Sequence, residues 1–289
     1  MGIRTYWGFV CFFCVLVALP IVIAADDDKV EVDLKLDADE LAYTYFDLES
    51  GEATLIKAGT GETILVDTGD TNSEHELEKR LEMFNIDVID VLLLTNGTNE
   101  YIGNTKWVLD HYNVKKVIVP ELLEEVLIDR FSIDADKVEG WDVGTHEVLL
   151  PGLETDVYYL EKDRQEHMGA MVIGFTYGDL RTLYMGIADV KVEEQLANQF
   201  PLKSSILKVA DFGSQEGTSQ YFLDEVDPQV AILFKKRGES PSAFVLERLQ
   251  ETWIDIYQTY KIGTVLIKCT RNDYEILTVR TKKKELATL

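Results

Sequence analysis

The spacing of hydrophobic residues changes repeatedly along this chain and predicts an alternation of strands and helices. Near the beginning, Tyr43 and Tyr45 lie on one face of an alternating segment, and short apolar runs separated by glycine turns follow it. Residues 88–94 then form a nearly continuous apolar run, which is typical of a strand buried on both faces. The strands predicted for the first half cover residues 41–48, 53–58, 63–66, 88–94 and 116–119.

Helices are predicted between these strands. Residues 73–84 carry apolar side chains at helical spacing, and Ser73 with Glu76 fits a capping box at the start. The other predicted helices cover residues 102–112, 121–131, 192–199 and 219–226, with one more from residue 240. The strands predicted for the second half cover residues 147–150, 157–160, 170–176, 182–185, 206–209, 230–234, 264–268 and 274–279. This order predicts an α/β fold of two mixed sheets packed face to face with helices outside, a four-layer αββα sandwich.

Residues 1–25 form a separate unit. Arg4 is their only charged side chain, and residues 7–25 are apolar apart from Pro20. This pattern fits either a cleaved secretory signal peptide or an amino-terminal membrane anchor, since the run is close to the roughly 20 residues that span a bilayer. In both cases we expect an extracytoplasmic protein, either secreted or tethered to the cytoplasmic membrane by this segment, with no membrane contact outside residues 7–25.

The remaining chain divides into two parts. Residues 26–40 are acidic and predict a spacer, and residues 41–289 predict one domain without an internal linker. Cys269 is the one cysteine of that domain, so no internal disulfide can form there, and we expect this thiol to be buried in a strand. The net charge of −24 disfavours non-specific binding to nucleic acid, which depends on Lys and Arg contacts to phosphates.

Polar motifs follow the ends of several predicted strands. Three of them are Asp67-Thr68-Gly69, the T-N-G-T-N-E-Y loop at 95–101 and the M-G-I-A-D segment at 185–189. Two others are K-V-A-D-F-G-S at 208–214 and G-E-S-P at 238–241.

These motifs resemble those of the metallo-β-lactamase fold superfamily, and within it the soluble domain of the ComEC-type DNA-uptake competence proteins. The resemblance covers about residues 41–268. Where the family has the loop T-H-x-H-x-D-H, this chain has Asn96, Thr98 and Tyr101 at the histidines and Glu100 at the aspartate. The family's K-V-G-H-H-G-S and Y-G-H-P segments have likewise lost their histidines here.

The resemblance implies a metal site whose ligands are mostly absent. In the family, the histidines and two aspartates hold one or two divalent metals, which activate a water for attack on a phosphate ester or a lactam. Asp67 and Asp189 are the ligands that remain, and zinc is not expected on them alone. The degraded pocket is expected to contain Asp67, Asn96, Thr98, Glu100, Tyr101, His167, Asp189, Asp211 and Phe212.

Three interpretations of the function remain open from the sequence. The first is a catalytically inactive protein without a cofactor, which acts outside the membrane as a binding or scaffolding module for an unknown protein or envelope component. The second is a metal-dependent hydrolase, a phosphodiesterase or nuclease, with Mg²⁺, Mn²⁺ or Ca²⁺ on Asp67, Glu100, Asp189 and Asp211. In a third interpretation, the groove of an envelope protein has lost any ligand.

Two further features bear on this site. Lys235, Lys236 and Arg237 follow a predicted strand, and we hypothesise that one of them replaces the metal charge by an ion pair into the pocket. The alternative is a solvated basic turn. His167 lies near the family's mid-chain metal ligand, although an isolated histidine in a loop more often has a structural role.

Overall fold

The computed structural model describes residues 31–280. The predictions for residues 1–25 therefore lie outside the described residues. In the acidic segment, residues 31–40 form no helix or strand but lie against the domain, where the Val32 amide donates to the Met83 carbonyl oxygen at 2.8 Å. No helix within residues 31–280 is long and apolar enough to cross a membrane.

Two β-sheets with helices between their strands make up the described part of the chain. The strands, in chain order, are β1 (Leu41–Tyr45), β2 (Thr54–Ala58), β3 (Thr63–Val66), β4 (Val88–Leu93), β5 (Asn113–Pro120), β6 (Val138–Trp141), β7 (His146–Leu150), β8 (Leu153–Leu160), β9 (Met171–Tyr177), β10 (Leu180–Met185), β11 (Ile206–Lys208), β12 (Val230–Leu233), β13 (Asp255–Gln258), β14 (Thr264–Cys269) and β15 (Tyr274–Val279). The helices are α1 (Glu74–Met83), α2 (Asn99–Ile102), α3 (Thr105–His111), α4 (Glu124–Phe131), α5 (Val190–Gln199), α6 (Gln220–Val226), α7 (Ala243–Glu251) and α8 (Thr259–Ile262).

Both sheets are mixed. The first has the order β15-β14-β1-β2-β3-β4-β5-β6, and the second has the order β13-β12-β11-β10-β9-β8-β7. Strands β3 to β6 are mutually parallel in the first sheet, as are β10 to β13 in the second, while the remaining neighbours pair antiparallel. The predicted α/β architecture of two mixed sheets with helices is confirmed.

Aromatic side chains fill the space between the two sheets. Tyr43 of β1 contacts Phe175 of β9 with ring centroids 6.4 Å apart, and Tyr45 lies 6.1 Å from Phe234, which follows β12. On the other face of the second sheet, Leu183 and Leu207 pack in a separate core with buried residues of α5, α6 and α7. Side-chain alternation along β11 therefore points Lys208 toward the space between the sheets.

Three predictions about local structure were wrong. The helix predicted for 102–112 is broken after Ile102, which ends α2, and resumes as α3 at Thr105. The break arises because Gly103 lies against the backbone of Thr71 and the Asn104 side chain donates to the carbonyl oxygens of Thr68 and Asp70. The capping box at Ser73 does not form, since this hydroxyl instead bonds to the backbone of Ser50. The edge strands β6 and β13 were not predicted from the sequence.

Candidate functional site

Asp67 holds the loop that follows β4. It comes directly after β3 with a left-handed φ of 58°, and its side chain is fully buried. One carboxylate oxygen accepts from the Thr95 amide at 2.7 Å, and the other accepts from the Thr95 hydroxyl at 2.6 Å. Burial raises the pKa of Asp67 to about 7, although the two bonds from Thr95 oppose that rise. Both oxygens of this retained acid thus have donors from the chain itself.

The next residues of that loop make internal contacts. Asn96 is fully buried, and its amide nitrogen lies 3.4 Å from the carbonyl oxygen of Gly186, which follows β10. Its side-chain oxygen accepts from the Thr98 amide at 3.0 Å. Asn96 therefore joins the loops of the two sheets, and its oxygen shapes the turn before α2.

Asp211 receives contacts from three directions. The Tyr101 hydroxyl donates to one carboxylate oxygen at 3.2 Å, and the Ala188 amide donates to the other at 2.8 Å. Burial raises the pKa of Tyr101 well above its usual value, so the phenol remains a donor. The His167 Nδ1 atom lies 3.7 Å from the same carboxylate, close enough for an ion pair when the imidazole is protonated.

The backbone at Asp211 and Phe212 is strained. Both residues have left-handed conformations, with φ of 40° and 56°. The Phe212 ring packs 5.8 Å from that of Tyr101, which helps to compensate for the cost of this conformation. The two positions that resemble the family's His-His pair are thus occupied by a bonded carboxylate and a packed aromatic ring.

Asp189 is held by a helix and by an arginine. One oxygen accepts from the amides of Lys191 and Val192 at the start of α5, and the other lies 2.6 Å from Nη1 of Arg164. Burial acts to raise the pKa of Asp189, but the Val192 amide and the Arg164 guanidinium outweigh it, so the pKa lies below its usual value. Arg164 also bonds to Glu161, whose side chain is buried.

Glu100 contacts one residue of the basic tripeptide. The Lys236 Nζ atom lies 3.4 Å from a Glu100 oxygen and 3.1 Å from a Glu239 oxygen. Arg237 lies 3.9 Å from Glu49. Lys236 is thus the member of the tripeptide that reaches an acid of the predicted pocket.

An ion pair beneath these loops was not anticipated from the sequence. Lys208 Nζ lies 2.5 Å from Glu52 Oε2, and both side chains are fully buried between the sheets. The Lys208 ammonium lies 4.4 Å from the ring centroid of Tyr184 and 5.6 Å from that of Tyr101. The signal that could have revealed this pair is a lysine in a short apolar strand, at the same face as Ile206.

The environment of Glu52 favours its protonated form. Burial raises its pKa to about 8, against the attraction of Lys208, and the carboxylates of Asp67 and Asp211 add to the rise. Its Oε1 atom is buried and has no hydrogen-bond partner in the described residues. Three acids and one lysine therefore share a poorly solvated region behind the loops.

A groove opens beside this region. It has a volume of about 300 Å³ and is lined by Asp211, Phe212, Ser214, Gln215, Lys236, Glu239, Ser240, Pro241 and Ser242. Asp211, Phe212 and Lys236 connect the groove to the contacts described above. Three of its lining residues, Glu239, Ser240 and Pro241, belong to the segment that resembles the family's Y-G-H-P motif.

The residues present do not fit the metals of the family. Within residues 31–280, no group of three or more His, Cys, Asp or Glu side chains could hold a metal ion. Each of the four acids proposed for a hard cation already has a partner in the chain: Asp67 bonds to Thr95, Asp189 to Arg164, Asp211 to Tyr101 and Ala188, and Glu100 contacts Lys236. A hydrolytic metal site needs several donors and an open position for water, which this arrangement does not supply.

Sequence relatives agree with the resemblance. Over 259 residues the chain is 27% identical to ComE operon protein 3 of Bacillus subtilis (strain 168). This alignment covers 74% of this chain and 32% of that protein. Over 244 residues it is 28% identical to Recombination protein 2 of Haemophilus influenzae. This second alignment covers 82% of this chain and 30% of that protein. The chain thus spans about a third of the length of these curated relatives, and its similarity to ComEC-type competence proteins is confirmed.

Solved structures agree on the fold. The metallo-beta-lactamase fold protein YhfI from Bacillus subtilis superposes with a TM-score of 0.55 and 9% identity, covering 75% of this chain and 95% of that one. The family description "Metallo-beta-lactamase superfamily" matches residues 47–186. This chain therefore carries a metallo-beta-lactamase superfamily domain and has the metallo-β-lactamase fold.

Proposed function

We propose that this protein is a catalytically inactive member of its fold that acts outside the membrane as a binding or scaffolding module. One observation carries the proposal: the acids that remain from the family's metal ligands are bonded to donors of the chain itself. Asp67 bonds to Thr95 through both oxygens, and Asp189 bonds to Arg164 and to the start of α5.

The chemistry of hydrolysis supports the same proposal. A metal-activated hydroxide needs strong donors around the ion and one free position for water. Asn96 and Thr98 stand where the family has histidine, and amide or hydroxyl oxygens are weak ligands for zinc. Among residues 31–280, no contact favours the alternative hydrolase with Mg²⁺, Mn²⁺ or Ca²⁺ as cofactor.

The location and partner belong to the proposal as well. The apolar segment 7–25 supports export or a tether, and the acidic balance disfavours non-specific nucleic-acid binding. A protein or another envelope component is the partner class that these features support. Affinity capture from the membrane fraction should recover a partner that binds the wild-type protein at stoichiometric ratio.

The activity test is a phosphodiester assay. We expect no turnover of bis-p-nitrophenyl phosphate or single-stranded DNA in the presence of Mg²⁺, Mn²⁺, Ca²⁺ or Zn²⁺. A metal-dependent rate that is lost in both D67A and D189A would overturn the proposal and establish a hydrolase. A rate that survives both substitutions would indicate a contaminating enzyme, so the preparation must be free of such activity before the comparison is made.

A further inference from the structure

One arginine bridges two carboxylates at the edge of the degraded site. Arg164 Nη1 lies 2.6 Å from Asp189 Oδ2, while its Nε and Nη2 atoms each lie 2.7 Å from Glu161 Oε2. Glu161 is 3% exposed and Asp189 is 24% exposed, so the guanidinium joins a buried acid to a partly exposed one. A planar guanidinium with several donors can make such a bridge, which a single ammonium cannot match.

The bridge connects two loops that the sheets do not join directly. Glu161 follows β8, and its other oxygen accepts from the amides of Asp163 and Arg164, while the Tyr159 hydroxyl donates to Oε2. Asp189 follows β10 and caps α5. Arg164 therefore fixes the loop after β8 to the start of α5.

We propose that Arg164 is an internal cation that takes the place of a divalent metal at Asp189 and keeps such ions out of the site. In the family that this chain resembles, the aspartate at this position is a metal ligand. Here the Asp189 oxygen that does not cap α5 bonds to an arginine that also pairs with the buried Glu161. Lys208 does not have this role, because the family pattern K-V-G-H-H-G-S includes the same lysine together with the metals.

The proposal has a specific physical consequence. Removal of the guanidinium leaves Glu161 and Asp189 facing the same space with no positive charge between them. Two close carboxylates repel each other unless they share a proton or bind a cation, and carboxylate oxygens are the ligands that Mn²⁺, Mg²⁺ and Ca²⁺ prefer. An R164M variant should therefore acquire a cation dependence that the wild-type protein lacks.

The experiment compares thermal unfolding in MnCl₂ and in EDTA. We expect R164M to have a Tm about 5 °C below that of the wild type in EDTA, and to recover about 2–4 °C at a Mn²⁺ concentration of about 5 mM. The wild type should show no Mn²⁺ response. The double variant R164M/D189N should lose the recovery, a result that a purely structural role for Arg164 would not produce.

The matched control is K162M. Lys162 lies in the same loop and pairs with Asp142 at 2.7 Å. Within residues 31–280, its side chain forms no hydrogen bond or ion pair with Asp189 or Glu161. K162M should change the Tm little and show no Mn²⁺ response. If R164M does not fold, R164K is used, since it retains one charge but cannot span both acids; it should show a smaller Tm loss and a smaller Mn²⁺ response.

Three outcomes would overturn the proposal. The first is an R164M or R164K variant whose Tm does not rise with Mn²⁺, and the second is a rise in Tm that the wild type shows equally. The third is a rise in Tm that persists in the double variant R164M/D189N. The inference rests on the proposed metal-free site, and the two can fail separately. Hydrolysis by the wild-type protein would defeat the proposed function, whereas a cation-insensitive Arg164 variant would defeat this inference alone.

Discussion

Lys208 and Glu52 form an ion pair that crosses the space between the two sheets, with 2.5 Å between Nζ and Oε2 and both side chains fully buried. Lys208 ends β11 in the second sheet, and Glu52 precedes β2 in the first. The rings of Tyr184 and Tyr101 lie near the ammonium and lower the cost of its burial through cation–π contacts. The pair therefore links both sheets directly behind the loops of the candidate site.

Removing one partner of this pair should be strongly destabilising. K208M leaves Glu52 buried without its cation, and we expect the free energy of unfolding to fall by about 3–5 kcal/mol. The double variant E52Q/K208M removes both charges and should lose less than K208M alone. Urea unfolding at about pH 8.5 provides the measurement, because Glu52 is then more fully ionised in the folded protein.

The control for this prediction is an exposed pair. Lys203 lies 2.8 Å from Asp227, and both side chains are mostly exposed. K203M should change the unfolding free energy by less than about 1 kcal/mol. Equal effects of K208M and K203M would contradict a structural role for the buried pair.

Stability should decrease as the pH rises from about 5 to about 8. Burial raises the pKa of Glu52 to about 8 and that of Asp67 to about 7. The folded protein therefore retains protons in this interval that the unfolded chain has already released. The resulting stabilisation is complete at a pH below the pKa values that Glu52 and Asp67 have in the unfolded chain. It is lost as the pH passes through the higher pKa values that they have in the folded protein. We expect a loss of roughly 2–4 kcal/mol, measured by denaturant unfolding at several pH values.

The double variant E52Q/K208M tests the origin of that slope. This variant lacks Glu52, the acid with the higher pKa, and its partner Lys208. The change in its unfolding free energy between pH 5 and 8 should therefore be about half that of the wild type. An unfolding free energy of the wild type that increases over this interval would contradict the assigned direction.

Thr95 should stabilise the loop after β4 through Asp67. T95V has nearly the same shape but no hydroxyl, so one oxygen of the buried Asp67 carboxylate loses its donor. We expect a loss of about 1–3 kcal/mol in unfolding free energy, whereas T95S should keep the hydrogen bond and lose less. Similar losses for both variants would show that the methyl group, and not the hydroxyl, is responsible.

The Tyr101 hydroxyl should contribute modestly to the loop at Asp211. Y101F removes the 3.2 Å hydrogen bond but keeps the ring against Phe212 and Lys208. We expect a loss of about 1 kcal/mol, while Y101A should lose at least about 3 kcal/mol because the ring is buried. Urea unfolding of the two variants separates the contribution of the hydroxyl from that of the ring. A Y101F variant as unstable as Y101A would show that the hydroxyl, and not the ring, provides most of the stability.

Most of the fold followed from periodicity, and the exceptions have physical causes. The strands that carry apolar runs, such as β4 and β12, were predicted nearly to their ends. Strands β6 and β13 lie at sheet edges and contain Gly140 and Asp255, so they present no such run. The helix break at Gly103 depends on a close approach to Thr71, a contact between segments that local sequence does not encode.

The site was less predictable because its contacts join distant segments. Motif comparison identified Asp67, Asn96, Asp189 and Asp211, since these stand where the resembled family has its metal ligands. Glu52 and Arg164 carry no motif, and their importance arises only when the fold places them beside Lys208 and Asp189. The sequence also led to the hypothesis that one of residues 235–237 supplies the compensating charge, with a solvated basic turn as the alternative. Lys236 does reach Glu100, but the Arg164 bridge could not be foreseen.

The most direct test of the central claim is the metal content of the wild-type protein, measured by elemental mass spectrometry after purification with added Zn²⁺ or Mn²⁺ and removal of unbound ions. We predict less than about 0.1 metal ion per chain, because Asp67 and Asp189 are bonded to Thr95 and Arg164. One or two tightly bound ions per chain, lost in D67A and D189A, would contradict the account.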